Sequence, residues 1–189
     1  MRVTLFVVAF VLLVSPSTTL LAQTDLPDHS VYHLDSVWRD QTGATFELSE
    51  LKGKVRLVAF VYTYCEHTCP AIVAMLKTVL EELPEQAHDQ VAVTLVTLDP
   101  QRDTVERVND YLVSRGLENN GWQMLVGNAD DVLSLAALFD VRYKPMGESD
   151  IAHSNVISVV DQLGVVRGQL RGLGQDRTEF LGLLTDLTK

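Results

Sequence analysis

Apolar and polar positions change rhythm repeatedly along this chain, and each change marks an element. Residues 31–48 alternate around the polar cluster Asp40-Gln41-Thr42-Gly43, which predicts a β-hairpin. Residues 55–62 and 91–98 are near-continuous apolar runs closed by polar turns, the pattern of strands buried on both faces. Between them, Ile72, Met75, Leu76, Val79, Leu80 and Leu83 repeat at a helical period over residues 71–83, ending at Pro84. Residues 104–115 form a second predicted helix, with Asp103 as its N-cap and Gly116 as its stop. A short strand at 122–126 precedes a helix at 130–139 that turns Leu133 and residues 136–138 inward. Residues 156–160 form a strand, Asp161-Gln162-Leu163-Gly164 turns the chain into residues 165–167, and a helix at 178–187 closes it.

The order is therefore a β-hairpin, then β-α-β-α-β-α, then a ββ hairpin and a last helix. Helices alternating with buried strands demand right-handed parallel crossovers, and the last hairpin adds antiparallel strands. The fold class expected is α/β: a mixed central sheet flanked by helices on both faces, thioredoxin-like, with an N-terminal β-hairpin.

The N-terminus changes where such a domain would work. Met1-Arg2 is followed by an apolar run over residues 3–14, then Ser15-Pro16 and a stretch ending Leu20-Leu21-Ala22-Gln23. That is the layout of a secretory signal peptide. Its apolar run is shorter than the roughly 20 residues a spanning helix needs. Residues 1–22 are read as a signal peptide cleaved after Ala22, with retention as an uncleaved anchor the alternative. Residues 23–189 are read as a single domain, exported to the periplasm or an extracytoplasmic membrane face, where thiols are not kept reduced by default. Membrane contact is expected only if the N-terminal segment is retained.

Charge excludes one class of partner. The chain carries 15 basic and 25 acidic residues, a net charge of −10, and losing Arg2 with the signal peptide makes it −11. A nucleic-acid partner is not expected for so acidic a chain.

Cys65 and Cys69 are the only two cysteines, four positions apart, where a predicted strand gives way to a helix. A loop that short would stabilise a fold little as a disulfide, so the pair points to chemistry. Free N–H groups at a helix start stabilise thiolate, which is both nucleophile and soft-metal ligand. One helical turn apart, two sulfurs can grip one Cu(I) ion or close on each other. A third metal ligand would come from elsewhere. His153, in the loop Asp150-Ile151-Ala152-His153-Ser154 ahead of the strand at 156–160, is one candidate, and His67, inside the cysteine loop, is the other. Met146 lies in the same predicted loop as His153 and is a weaker candidate, whereas Met75 and Met124 fit core positions. His29, His33 and His88 sit on polar flanks.

These residues resemble the Sco/SenC family of copper chaperones that serve assembly of cytochrome c oxidase. The resemblance rests on Leu51-Lys52-Gly53-Lys54, on Phe60-Val61-Tyr62-Thr63-Tyr64-Cys65-Glu66-His67-Thr68-Cys69-Pro70, and on Thr97-Leu98-Asp99-Pro100 with Asp103-Thr104. Tyr111, Trp122, His153-Ser154, Val159-Val160-Asp161 and Gly164 extend it over almost all of residues 23–189. It implies a thioredoxin-like fold and copper, as Cu(I), Cu(II) or both, bound through Cys65, Cys69 and His153. The chain departs from the usual family pattern at Val61 (Gly), at Glu66-His67 (Pro-Asp) and at Ala152 (Asp). Those positions bear on the groups around the ligands and on the surface a client would read.

The function expected is a copper metallochaperone, not an enzyme, delivering copper to an exported or membrane cuproenzyme such as a cytochrome c oxidase subunit. The alternative is a thiol–disulfide oxidoreductase acting on client cysteines, in which Cys65 attacks, Cys69 resolves and a thiol reductant restores the pair. Against it stand the three-residue spacer and His153-Ser154 where a thioredoxin-type enzyme carries a cis-proline loop, the nearest upstream proline being Pro145. A peroxidase of the same fold is disfavoured, because Tyr62-Thr63-Tyr64 precedes Cys65 and no arginine is close in sequence.

Overall fold

The computed structural model describes residues 26–118, 121–147 and 150–189; the predicted signal peptide lies outside the described residues. Two strands set the frame. β3 (Val55–Val61) and β4 (Val91–Thr97) are buried at all seven positions each and pair in parallel, Val55 with Val91 through Val61 with Thr97. Around them β5 (Trp122–Leu125) pairs parallel to β4, while β8 (Val156–Val160) runs antiparallel to β3 and β9 (Val166–Arg171) antiparallel to β8. The sheet order is β5-β4-β3-β8-β9. The numbering leaves β1 and β2 to the N-terminal hairpin, Val37–Arg39 and Thr45–Glu47, and β6 and β7 to a second small hairpin, Tyr143–Met146 and Asp150–His153.

Helices α1 (Thr68–Glu81) and α2 (Val105–Ser114) make the crossovers from β3 to β4 and from β4 to β5. Both crossovers step in the same direction, so right-handedness puts both helices on one face. The opposite face carries Val58, Val96 and Leu125, which meet Leu135 and Phe139 around α3 (Ala129–Leu138) and its C-cap. There the Phe139 ring stands edge-on to Phe60, centroids 5.6 Å apart. α4 (Thr178–Leu187) packs beside β9. The mixed sheet, with helices on both faces and an added N-terminal hairpin, is the thioredoxin-like arrangement the pattern predicts.

The N-terminal hairpin is a separate two-stranded sheet, tied to the end of β5 by reciprocal backbone hydrogen bonds between Arg39 and Val126 at 2.9 and 2.8 Å. Its fully buried Trp38 requires glycine at 127, where a Cβ would lie 2.7 Å from the indole ring.

Four local expectations are corrected. α1 starts at Thr68, three residues early, which brings Cys69 into its first turn. The N-cap of α2 is Thr104, whose hydroxyl accepts from Arg107 N–H, while Asp103 turns inward and is fully buried. On α3 the inward positions are Val132, Leu135 and Ala136, and Leu133, Ala137 and Leu138 are exposed, because the buried face runs through Val132, Leu135, Ala136 and Phe139 at helical spacing. The segment read as a loop before His153 is the β6–β7 hairpin, pairing Tyr143 with His153 and Met146 with Asp150. Pro145 is tolerated in β6 because that strand has a partner on one side only. Among the described residues no helix is long and apolar enough to cross a membrane.

Candidate metal centre

The site forms where the central strand β3 ends. Its chain turns tightly, Cys65 N–H bonding back to the Tyr62 carbonyl at 3.2 Å, and then enters α1. The first N–H groups of a helix have no partner within it. One of them, from Cys69, donates to the Cys65 sulfur at 3.3 Å, and the Thr68 hydroxyl lies 3.4 Å from the same sulfur. Both thiols are buried, Cys69 completely.

Their protonation states are pushed apart. Burial alone would raise the Cys65 pKa, but the Thr68 hydroxyl, the Cys69 N–H and thiol and the His67 N–H more than offset it and bring it down to about 7. Burial, together with the hydrogen bond to Cys65, pushes the Cys69 thiol up. Around neutrality Cys65 is the thiol that ionises, while Cys69 keeps its proton. A soft cation entering the site would displace the Cys69 proton.

His153 reaches this pair from β7. Its Nδ1 lies 3.1 Å from the Ser154 carbonyl, an acceptor only, so Nδ1 carries the proton and the Nε2 lone pair faces inward. Nε2 is 3.7 Å from Cys69 Sγ. Burial lowers the His153 pKa and so favours the neutral ring a metal needs. The donor atoms of Cys65, Cys69 and His153 all lie within 4.8 Å of one another. Metal–sulfur and metal–nitrogen bonds of about 2.3 and 2.0 Å, as at zinc, fit one ion inside that triangle after a small contraction. Two sulfurs and one imidazole suit a soft ion such as Cu(I). The site opens on a cleft of about 640 Å³, lined also by Tyr62, Tyr64, Glu66 and Asp150.

The other candidates stay outside that triangle. His67 precedes the first residue of α1, is exposed and lines the cleft without joining the donor cluster. Met146 sits on β6 and is exposed.

Three supporting features escaped sequence reasoning. Asp103 accepts from the N–H and hydroxyl of Thr63, at 3.1 and 2.5 Å, and from the Thr97 hydroxyl at 2.5 Å, which fixes the turn before Cys65. The guanidinium groups of Arg102 and Arg107 lie 5.0 and 4.3 Å from the ring centroid of Tyr64, the residue before Cys65. Tyr62 contacts the histidine-bearing hairpin, with its ring edge-on to that of His153. The only sequence signal for the first two was the polar cluster at 97–104, which carries no mark of what it touches.

The chain matches the SCO1/SenC family over residues 33–183. A protein of Stutzerimonas stutzeri named for copper binding is 27% identical over 136 residues, covering 70% of this chain and 65% of that protein, just under two thirds of its length. The SCO1 protein homolog of Bacillus subtilis (strain 168) is 25% identical over 153 residues, 79% of this chain and 78% of that one. The solved structure of Bradyrhizobium japonicum ScoI with copper bound superimposes with a TM-score of 0.66 at 26% identity, covering 80% of this chain and 96% of that chain.

Proposed function

The chain belongs to the SCO1/SenC family, and from that premise we propose that it binds one copper ion through Cys65, Cys69 and His153 and delivers it to an exported or membrane-bound cuproenzyme, in the assembly of cytochrome c oxidase. The observation that carries this reading is the convergence of two sulfurs and one unprotonated imidazole nitrogen within 4.8 Å. The copper reported in the Bradyrhizobium relative supports the choice of metal.

Each residue has a distinct part. Cys65 is the sulfur that ionises more readily, Cys69 gives up its proton as copper arrives, and His153 offers Nε2 with Nδ1–H tied to Ser154. The cysteines sit on the body of the domain and the histidine on a separate hairpin, so a client can take copper by displacing one side of the ligand set at a time. Residues 1–22 would export the domain and be removed after Ala22. Intact mass of the secreted protein checks this, a mature chain starting at Gln23 being expected.

A second reading shares the same residues, and the low pKa of Cys65 favours it. The Cys65 thiolate would attack a client disulfide and release one client thiolate; Cys69, losing its proton, would then attack Cys65 and release the other. The client leaves as a dithiol, and the chain is left with a Cys65–Cys69 disulfide that an external thiol must reduce.

Titration of the reduced protein with Cu(I), read by chelator competition and X-ray absorption, separates the two. One equivalent held by two sulfurs and one nitrogen is expected. No binding with both thiols free, alongside rapid turnover of a disulfide substrate, would replace the chaperone reading by the oxidoreductase.

A further inference from the structure

Tyr62 follows the last residue of β3 and is only 2% exposed, yet its hydroxyl is fully used. It donates to Oδ1 of Asp150 at 2.5 Å and accepts from the backbone N–H of Ile151 at 3.3 Å. The Tyr62 ring stands edge-on to the His153 imidazole, centroids 6.1 Å apart and planes at 81°. One side chain thus touches the histidine and the strand that carries the histidine.

The β6–β7 hairpin has few other holds on the domain. Ile151, buried, and Tyr143, packed partly buried against the core, give it apolar ones. Among its described residues, the remaining hydrogen bond toward the body is the one between His153 and Cys69, which a bound ion would replace. A paired strand is stiff along its length, so fixing Asp150 and Ile151 fixes where His153, two residues on, projects.

We infer that the Tyr62 hydroxyl is a positioning group: it latches the β6–β7 hairpin to the end of β3 and thereby holds His153 Nε2 at the cysteine pair. The inference rests on the reading of His153 as a copper ligand. Without the hydroxyl, Asp150 still accepts from its neighbour Ile151 N–H at 2.9 Å and faces the open cleft, so the fold survives and the latch does not.

The test is Tyr62→Phe, which keeps the ring and removes one oxygen. In the copper-free protein, amide hydrogen exchange at Ile151 and His153 should accelerate while that of β3 and β4 stays unchanged. Groups that orient a metal ligand are worth about 10–100-fold in affinity, so Cu(I) affinity should fall about tenfold or more, with a changed nitrogen contribution to the X-ray absorption spectrum. In a His153→Ala background the same substitution should cost nothing further. Asp150→Asn, which keeps an acceptor oxygen, should retain most of the affinity that Asp150→Ala loses. Unchanged exchange at Ile151, or an equal loss of affinity with and without His153, would overturn the latch. A wild-type protein that binds no copper would sink the metal reading instead, and the exchange measurement would still decide the latch.

Discussion

Thr63 and Asp103 are 40 positions apart and share two hydrogen bonds, the Thr63 N–H and hydroxyl both donating to one fully buried carboxylate. The Thr97 hydroxyl donates to the same group, and Arg107 Nε donates to the Thr63 hydroxyl. The turn leading to Cys65 is thereby pinned to the end of β4 and the approach to α2. Asp103→Ala leaves three donors without their acceptor, and each unsatisfied buried group costs about 1–3 kcal/mol, part of it relieved by no longer burying a carboxylate. The expected loss is about 2–4 kcal/mol in urea unfolding. A change below about 0.5 kcal/mol would show that the network is not what holds the turn.

The two histidines at the cleft should behave oppositely. His153→Ala removes the one imidazole nitrogen facing the sulfurs, and a direct ligand should cost at least the 10–100-fold typical of its supporting partners. The fold should be spared, since the ring is only half-buried and its hydrogen bonds are to the adjacent Ser154 carbonyl and to Cys69. His67 is exposed and outside the donor cluster, so His67→Ala should leave Cu(I) affinity within about twofold, well below the loss expected of a ligand. Competition titrations on both variants decide it. A silent His153→Ala with a damaging His67→Ala would move the third ligand into the cysteine loop.

Much of the frame was legible because burial on both faces leaves uniform apolar runs: β3, β4 and β8 read directly, and α4 spans Thr178–Leu187 as its period predicts. The cysteine pair was legible from spacing alone. The approach of His153 was not, because nothing local separates a histidine that leans over a site from one that faces water. The β6–β7 hairpin was missed for a related reason: its strands pair only with each other, and Pro145 reads as a loop residue. Asp103 was misread because an aspartate before a helix looks like a cap. Thr104 takes that role, and what turns Asp103 inward is a set of donors from Thr63 and Thr97.

Cys65 and Cys69 should differ in reactivity. With a pKa of about 7, Cys65 should be alkylated by iodoacetamide at a rate that rises with pH around a midpoint near 7, while the fully buried, high-pKa Cys69 stays largely unlabelled. The linkage has a definite sign. The Cys65 pKa is depressed below its ordinary 9.0, so its contribution to stability is present above pH 9 and is lost as pH falls through 7. Mass spectrometry of quenched reactions identifies the labelled thiol, and a midpoint near 9 or equal labelling would remove the case for a resident thiolate.

Copper and a Cys65–Cys69 disulfide should exclude each other. Both thiols are free, and Cys65 ionises ahead of Cys69, so that one sulfur can attack or bind first and the other follows with loss of its proton. A sulfur bonded to its partner has no thiolate to offer, so protein oxidised with a mild thiol oxidant should bind no Cu(I), and reduction should restore one equivalent. Copper-loaded protein should in turn resist oxidation, because both sulfurs are engaged and the buried Cys69 no longer has a free attack path. Thiol counting before and after loading, paired with chelator competition, reads both directions. Full Cu(I) affinity in the oxidised protein would mean that the ion is held by groups other than these two sulfurs, and the ligand set proposed for this chain would have to be rebuilt around the rest of the cleft.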